Sequence, residues 1–197
     1  LGQIMLGPGV LSVPADSPYN TLQEFVDAAQ TKEMTVSNSG AGSIWEMAGK
    51  SLSVETGAKI KPVPFDGGAP AVAAVLGNQV DAAASGVNEV KQNLADGKLK
   101  VLAIFHSERH PELPDVPTAK EQGVDIEIGG WGGIYAPKGL PADVHKTLEE
   151  GIAKAVEADS YKDVITSSGN LVVYKNSADF TAFAESEAKR FAELIGS

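Results

Sequence analysis

The stretch Ser37-Asn38-Ser39-Gly40-Ala41-Gly42-Ser43, behind the apolar Met34-Thr35-Val36 and ahead of a helical run over residues 44–52, decides how this chain is read. A short strand, a glycine-rich turn and a helix in succession make one βα unit. The pattern returns at once: residues 60–63 read as a strand, Phe65-Asp66-Gly67-Gly68-Ala69-Pro70 as the turn, and residues 71–76 as the next helix. Working outward, the alternation persists. Residues 9–13 read as a strand, and Asp16-Ser17-Pro18 as the cap of a helix over 21–29. A short buried strand over 81–84, a helix over 87–94 ended by Gly97, and a strong strand over 99–105 follow. Residues 114–123 read as a turn with a short helix, and 126–128 and 133–136 as extended pieces broken by Gly129-Gly130-Trp131-Gly132. Beyond a rigid connector at 137–141 come a long amphipathic helix over 142–158, a helix over 161–167, a strand over 171–174 and a final helix over 178–195. The fold class is α/β. The long helices need a sheet to pack on, and the C-terminal part supplies one clear strand for them, which leaves a sheet partner unaccounted for.

A helix start leaves its first backbone N–H groups without partners inside the helix and carries a partial positive charge, so a small anion can be held there without a basic side chain. Glycine permits close approach of the backbone and serine adds hydroxyl donors. Ser39, Gly40, Ala41, Gly42 and Ser43 in the first loop, and Phe65, Gly67, Gly68 and Ala69 in the second, are therefore candidate ligand-binding residues. The competing account is structural: serine is a common N-cap, and Gly67-Gly68 suits a tight βα turn. Ser85, after a buried strand, offers a hydroxyl from the same region or simply forms a turn. Trp131 and Gly132 read as a hinge or lid, with a packed indole as an equal alternative; Trp45, in the first turns of its helix, reads as packing.

The 197 residues are 43% hydrophobic and 21% charged, an ordinary folded globular composition. No apolar run approaches the length that spans a bilayer. A net charge of −10 without a basic stripe argues against nucleic acid. There is no cysteine, which excludes disulfides, thiolate metal sites and cysteine nucleophiles. His106 and His110 would share a metal only on a helix, and Pro111 argues for a solvated loop, so no metal site is expected. No cofactor is expected either. In Gly40-Ala41-Gly42-Ser43-Ile44-Trp45 an indole stands where the dinucleotide fingerprint needs its third glycine, and no G-x-S-x-G, P-loop or H-E-x-x-H occurs.

Several runs, in this order and spacing, are similar to one family. They are Val10-Leu11-Ser12-Val13, Ser17-Pro18-Tyr19-Asn20-Thr21-Leu22, the Ser39 to Ser43 loop, and Val63-Pro64-Phe65-Asp66-Gly67-Gly68-Ala69-Pro70-Ala71. Leu76-Gly77-Asn78-Gln79-Val80-Asp81, Gly97-Lys98-Leu99, Leu113-Pro114-Asp115-Val116-Pro117-Thr118 and Trp131-Gly132-Gly133-Ile134-Tyr135-Ala136-Pro137 continue the likeness. The chain resembles the substrate-binding proteins of tripartite tricarboxylate transporters, the TctC-like or Bug family of periplasmic solute receptors.

That resemblance implies a two-lobed, type II periplasmic-binding-protein-like architecture with the first lobe incomplete in this chain. Residues 1–13 and 131–197 would belong to lobe 1 and its crossovers, and residues 14–130 would form the complete lobe 2. It implies a non-enzymatic, periplasmic or extracytoplasmic receptor that closes on a small organic acid or acidic amino acid and delivers it to membrane permease subunits. A ligand sensor or interaction module on the same fold is the alternative, and a nucleotide-binding α/β enzyme a further one. The family usually has tyrosine and often lysine where this chain has Phe65 and Asp66. An added carboxylate there disfavours citrate-like tricarboxylates.

Overall fold

The structure, a computed structural model, describes residues 1–196. The chain forms two compact units: Leu1–Gly7 with the chain from Gly130 onward, and Pro8–Gly129. Strand β1 (Gly2–Pro14) contributes its first half to one unit and its second half to the other.

The Pro8–Gly129 unit is built on β1, β2 (Met34–Asn38), β3 (Ile60–Pro64), β4 (Ala82–Gly86) and β5 (Leu99–Phe105), in the order β3-β2-β4-β1-β5. β2 pairs in parallel with β3 and β4, Ser37 lying opposite Val63 and Ala83. β1 runs antiparallel to both its neighbours, Val10 opposite Ser85 and Ile104. Helices α1 (Leu22–Thr31), α2 (Ile44–Thr56), α3 (Gly68–Leu76) and α4 (Val87–Ala95) follow the strands. Val72 and Val75 of α3, Val87 and Val90 of α4, and Ala83, Val10 and Ile104 of the sheet form one apolar cluster. α2 packs on β2, β3 and β4, burying Trp45, Met47, Ala48 and Leu52. All five residues of β4 are buried, and its alanines allow helices to lie close.

Three local expectations change. The cap of α1 is Thr21, whose hydroxyl accepts the Glu24 N–H at 3.1 Å, and not the Asp16-Ser17-Pro18 turn. The helix after the second loop starts at Gly68, so Gly68, Ala69 and Pro70 form its first turn, where proline loses no intrahelical bond. His110 is 3% exposed, not solvated, and its Nδ1 accepts the Glu112 N–H.

The other unit holds β6 (Gly129–Ile134), β7 (Leu171–Lys175) and helices α5 (Ala142–Glu157), α6 (Asp159–Ser167) and α7 (Ser177–Gly196). β1 and β6 supply β7 with companions: β7 pairs antiparallel with β1, Leu171 opposite Leu6, and β6 also pairs with β1. The glycine run read as a break is therefore itself a strand, and the long helices have three strands to pack on. The Tyr161 hydroxyl donates to the Ile4 carbonyl at 2.9 Å, and Lys175 reaches Gln3 Oε1 at 2.9 Å. No helix among the described residues is long and apolar enough to cross a membrane.

Asp81 anchors the start of β4 to β2. Its Oδ2 accepts the Thr35 N–H at 2.8 Å and the Thr35 hydroxyl at 2.6 Å, with Lys32 Nζ 3.5 Å from Oδ1. Burial pushes this carboxyl up, but the Thr35 bonds and the Lys32 charge outweigh it and hold it below the ordinary aspartate value. A lowered folded-state value means the stabilisation is complete above the unfolded range near about pH 4 and fades as pH falls through the folded value. Asp81→Asn is expected to cost about 1–2 kcal/mol near neutrality. Urea midpoints of the two proteins should converge as pH is lowered toward about 2; a gap that stays constant would count against this anchor.

Candidate functional site

Because β2, β3 and β4 are parallel, their carboxyl ends lie on one edge of the sheet, and the three βα junctions that follow them stand side by side. In open α/β sheets ligands bind outside the carboxyl ends of strands. One backbone bond joins the first two junctions, the Phe65 N–H donating to the Asn38 carbonyl at 3.0 Å, and they also pack together: a methyl built on Gly40 would stand 3.6 Å from the Phe65 carbonyl oxygen. The third junction joins the second through Glu89, whose Oε2 accepts the Gly86 N–H at 2.7 Å and whose carboxylate lies against Gly68. The structure thus brings together Ser39, Gly40, Ala41, Gly42, Ser43, Phe65, Gly67, Gly68, Ala69 and Ser85. Trp131 and Gly132 belong to the other unit. There the Trp131 ring meets Phe180 and Phe183 edge-on at 5.5 Å, as a packed indole does, and a methyl on Gly132 would come within 2.9 Å of Met5 Cγ.

A donor-by-donor account narrows what the loops offer. The Gly40 N–H donates to Asn38 Oδ1 at 3.0 Å, the Gly42 N–H to the Glu46 carboxylate at 2.5 Å, and the Ser43 N–H to the Gly40 carbonyl at 3.1 Å. Ser43 is the N-cap of α2, its Oγ accepting the Glu46 N–H at 3.2 Å. Gly40 (φ 135°) and Gly42 (φ 75°) adopt backbone angles that favour glycine, so the turn depends on both. The Gly67 N–H is taken by the Phe65 carbonyl at 2.9 Å, while α3 has no side-chain cap. The first loop is therefore largely satisfied from within, as an N-cap.

Among the described residues, two buried side-chain groups are not satisfied. Asn38 and Ser85 are each 1% exposed, and Asn38 Nδ2 and Ser85 Oγ have no hydrogen-bond partner. The Gly40 bond anchors Asn38 Oδ1, so the amide nitrogen is the end left over. A stranded buried donor costs about 1–3 kcal/mol, which an incoming acceptor recovers. Asn38, Glu46 and Glu89 are not among the residues the glycine-rich loops single out from sequence. The spacing Ser43-x-x-Glu46 is a capping-box pattern and was there to be read; Glu89 carried no sequence signal for its contact with Gly68.

Ser43→Ala is expected to lower stability by about 0.5–2 kcal/mol, and Ser43→Gly by only a few tenths, because glycine tolerates the cap position. Denaturant titration of both variants checks this. Equal losses would mean that the hydroxyl does not act as a cap.

A second polar cluster invites a hydrolase reading and fails it. Ser177 Oγ is 3.1 Å from His145 Nε2, but Glu149 accepts the Ser177 N–H at 2.6 Å and its other oxygen is 4.0 Å from His145 Nδ1. That separation is too long for the bond that orients a catalytic imidazole. The three residues tie α5 to the start of α7.

The model of the tripartite tricarboxylate transporter family receptor, TctC, matches residues 2–197. The chain belongs to this family. Among curated TctC relatives it is 29% identical over 192 residues to the UPF0065 protein of the tcbD-tcbE intergenic region of a Pseudomonas species, covering 95% of this chain and 57% of that one. It is 27% identical over 168 residues to protein BugT of Bordetella pertussis, covering 85% and 52%. The chain thus spans a little over half the length of these relatives. Its structure superposes on a TctC solute-binding protein from Polaromonas with a TM-score of 0.90 at 33% identity, over 99% of this chain and 68% of that one. MatC of Rhodopseudomonas palustris, solved with bound malate, gives 0.80 at 26% identity, over 98% and 68%. The mixed α/β fold is thus that of TctC solute-binding proteins.

Proposed function

We propose that this TctC-family chain is the solute-recognising part of an extracytoplasmic receptor that captures a small carboxylate-bearing solute and delivers it to the permease of a tripartite transporter. The observation that carries the reading is the pair of buried, unpartnered groups, Asn38 Nδ2 and Ser85 Oγ, at the carboxyl ends of neighbouring parallel strands. A carboxylate oxygen is a strong acceptor for such donors. The amides that open α3 at Gly68 and Ala69 and the Ser43 hydroxyl complete the donor set, and Phe65, half-buried beside Gly67, is a wall for an aliphatic stem. Malate on the related MatC fits this ligand class. The reading is of binding and transport, without a chemical step.

Native mass spectrometry of the purified protein, compared with its denatured mass, is the test. A small organic acid released on denaturation is the expected result, with calorimetry of the identified acid giving saturable binding. A released dinucleotide would overturn the receptor reading in favour of an enzyme.

A further inference from the structure

Trp45 is the second residue of α2, in the first turn behind the Ser43 cap, and it is 8% exposed. The outer edge of its six-membered ring lies over a pair of glycines. A methyl built on Gly9 would come within 3.1 Å of Cζ3, and one built on Gly86 within 3.2 Å of Cζ2. Gly9 and Gly86 stand opposite each other across β1 and β4, at the carboxyl end of β4 and one residue beyond Ser85. The indole therefore reaches from the first βα junction to the third.

Packing accounts for the carbon edge of this ring and not for its nitrogen. Nε1 and Cζ2 are both bonded to Cε2, so the N–H leaves the ring on the Gly86 side. An indole nitrogen is a donor only, and a buried one ordinarily finds an acceptor. Among the described residues this one has no hydrogen-bond partner. Nor is it sealed as Asn38 Nδ2 and Ser85 Oγ are, so the small exposed fraction of Trp45 includes its N–H.

We propose that Trp45 is a solute-binding residue, its indole N–H donating to a carboxylate oxygen held beside Ser85. The inference rests on the solute-receptor reading above and adds a neutral donor to it. A ring wedged against two strands is fixed before the solute arrives, so little side-chain freedom is lost when the bond forms. Because the N–H cannot accept, the position takes an acceptor oxygen and not an N–H or O–H group.

The chain has two tryptophans, so 15N-labelled protein gives two indole N–H signals, and Trp131→Phe identifies that of Trp45. Malate and hexanoate, with two carboxylates and with one, are the probes, and calorimetry establishes which binds. At saturation with an acid that binds, the Trp45 indole proton should move downfield and exchange with solvent more slowly, as a proton taken into a hydrogen bond does. Trp45→Phe, which keeps an aromatic ring and loses the donor, should lower the affinity by about tenfold or more. An indole proton whose shift and exchange are unchanged at saturation, or full affinity in a folded Trp45→Phe protein, would overturn the inference while leaving the receptor reading intact. If Trp45→Phe does not fold, the indole signal of the protein with Trp45 in place decides alone. Binding of neither acid by the unmodified protein would overturn the receptor reading itself.

Discussion

Replacing Gly68 by valine is expected to lower carboxylate affinity by more than about tenfold while leaving the far-UV circular dichroism unchanged. Gly68 is the first residue of α3, and its backbone lies outside the left-handed region, so valine is conformationally acceptable there. The side chain is the difficulty, because any Cβ at this position runs into the Glu89 carboxylate. A β-branched side chain would push that carboxylate aside and cover the amides that open the helix. Losing even one hydrogen bond to a charged group costs about 1.5–3 kcal/mol, which is roughly a 10- to 150-fold loss of affinity. Calorimetry with hexanoate reads the effect; unchanged affinity would make the second loop purely structural.

Gly9→Ala is expected to destabilise the Pro8–Gly129 unit by about 3 kcal/mol, the upper end of the range for overpacking. A methyl at Gly9 would come within 2.7 Å of the Ile128 carbonyl oxygen, 3.1 Å of the Trp45 ring and 3.2 Å of the Phe105 ring. None of the three can yield easily. The Ile128 carbonyl is backbone and already accepts the Gly9 N–H at 2.9 Å, and Trp45 and Phe105 are buried at 8% and 1% exposure. The urea midpoint should fall with the slope unchanged. A midpoint within experimental error of the parent would show that β1 and Ile128 can separate freely.

These two glycines show what local pattern does and does not carry. Gly68 was selected from sequence as part of a glycine-rich helix start, a motif whose meaning lies within a few residues. Gly9 is one glycine in an apolar strand, and its necessity comes from Ile128, Trp45 and Phe105, all distant in the chain. The same contrast separates the strand over Leu99–Phe105, legible from its apolar run, from the strand over Gly129–Ile134, which looks like a break. Glycine-rich backbone has little intrinsic strand preference, and its pairing with β1 supplies what propensity does not.

Alternation of apolar runs with turn chemistry was enough to determine the α/β class, the helix order and the two glycine-rich loops, because each of these depends on neighbours in sequence. Only the tertiary structure decided which donors in those loops remain available. Asn38, Ser85, Gly68 and Glu89 acquire their partners, or lose them, through strand pairing and helix packing across tens of residues, and a hydrogen-bond inventory exists only once those distances are set.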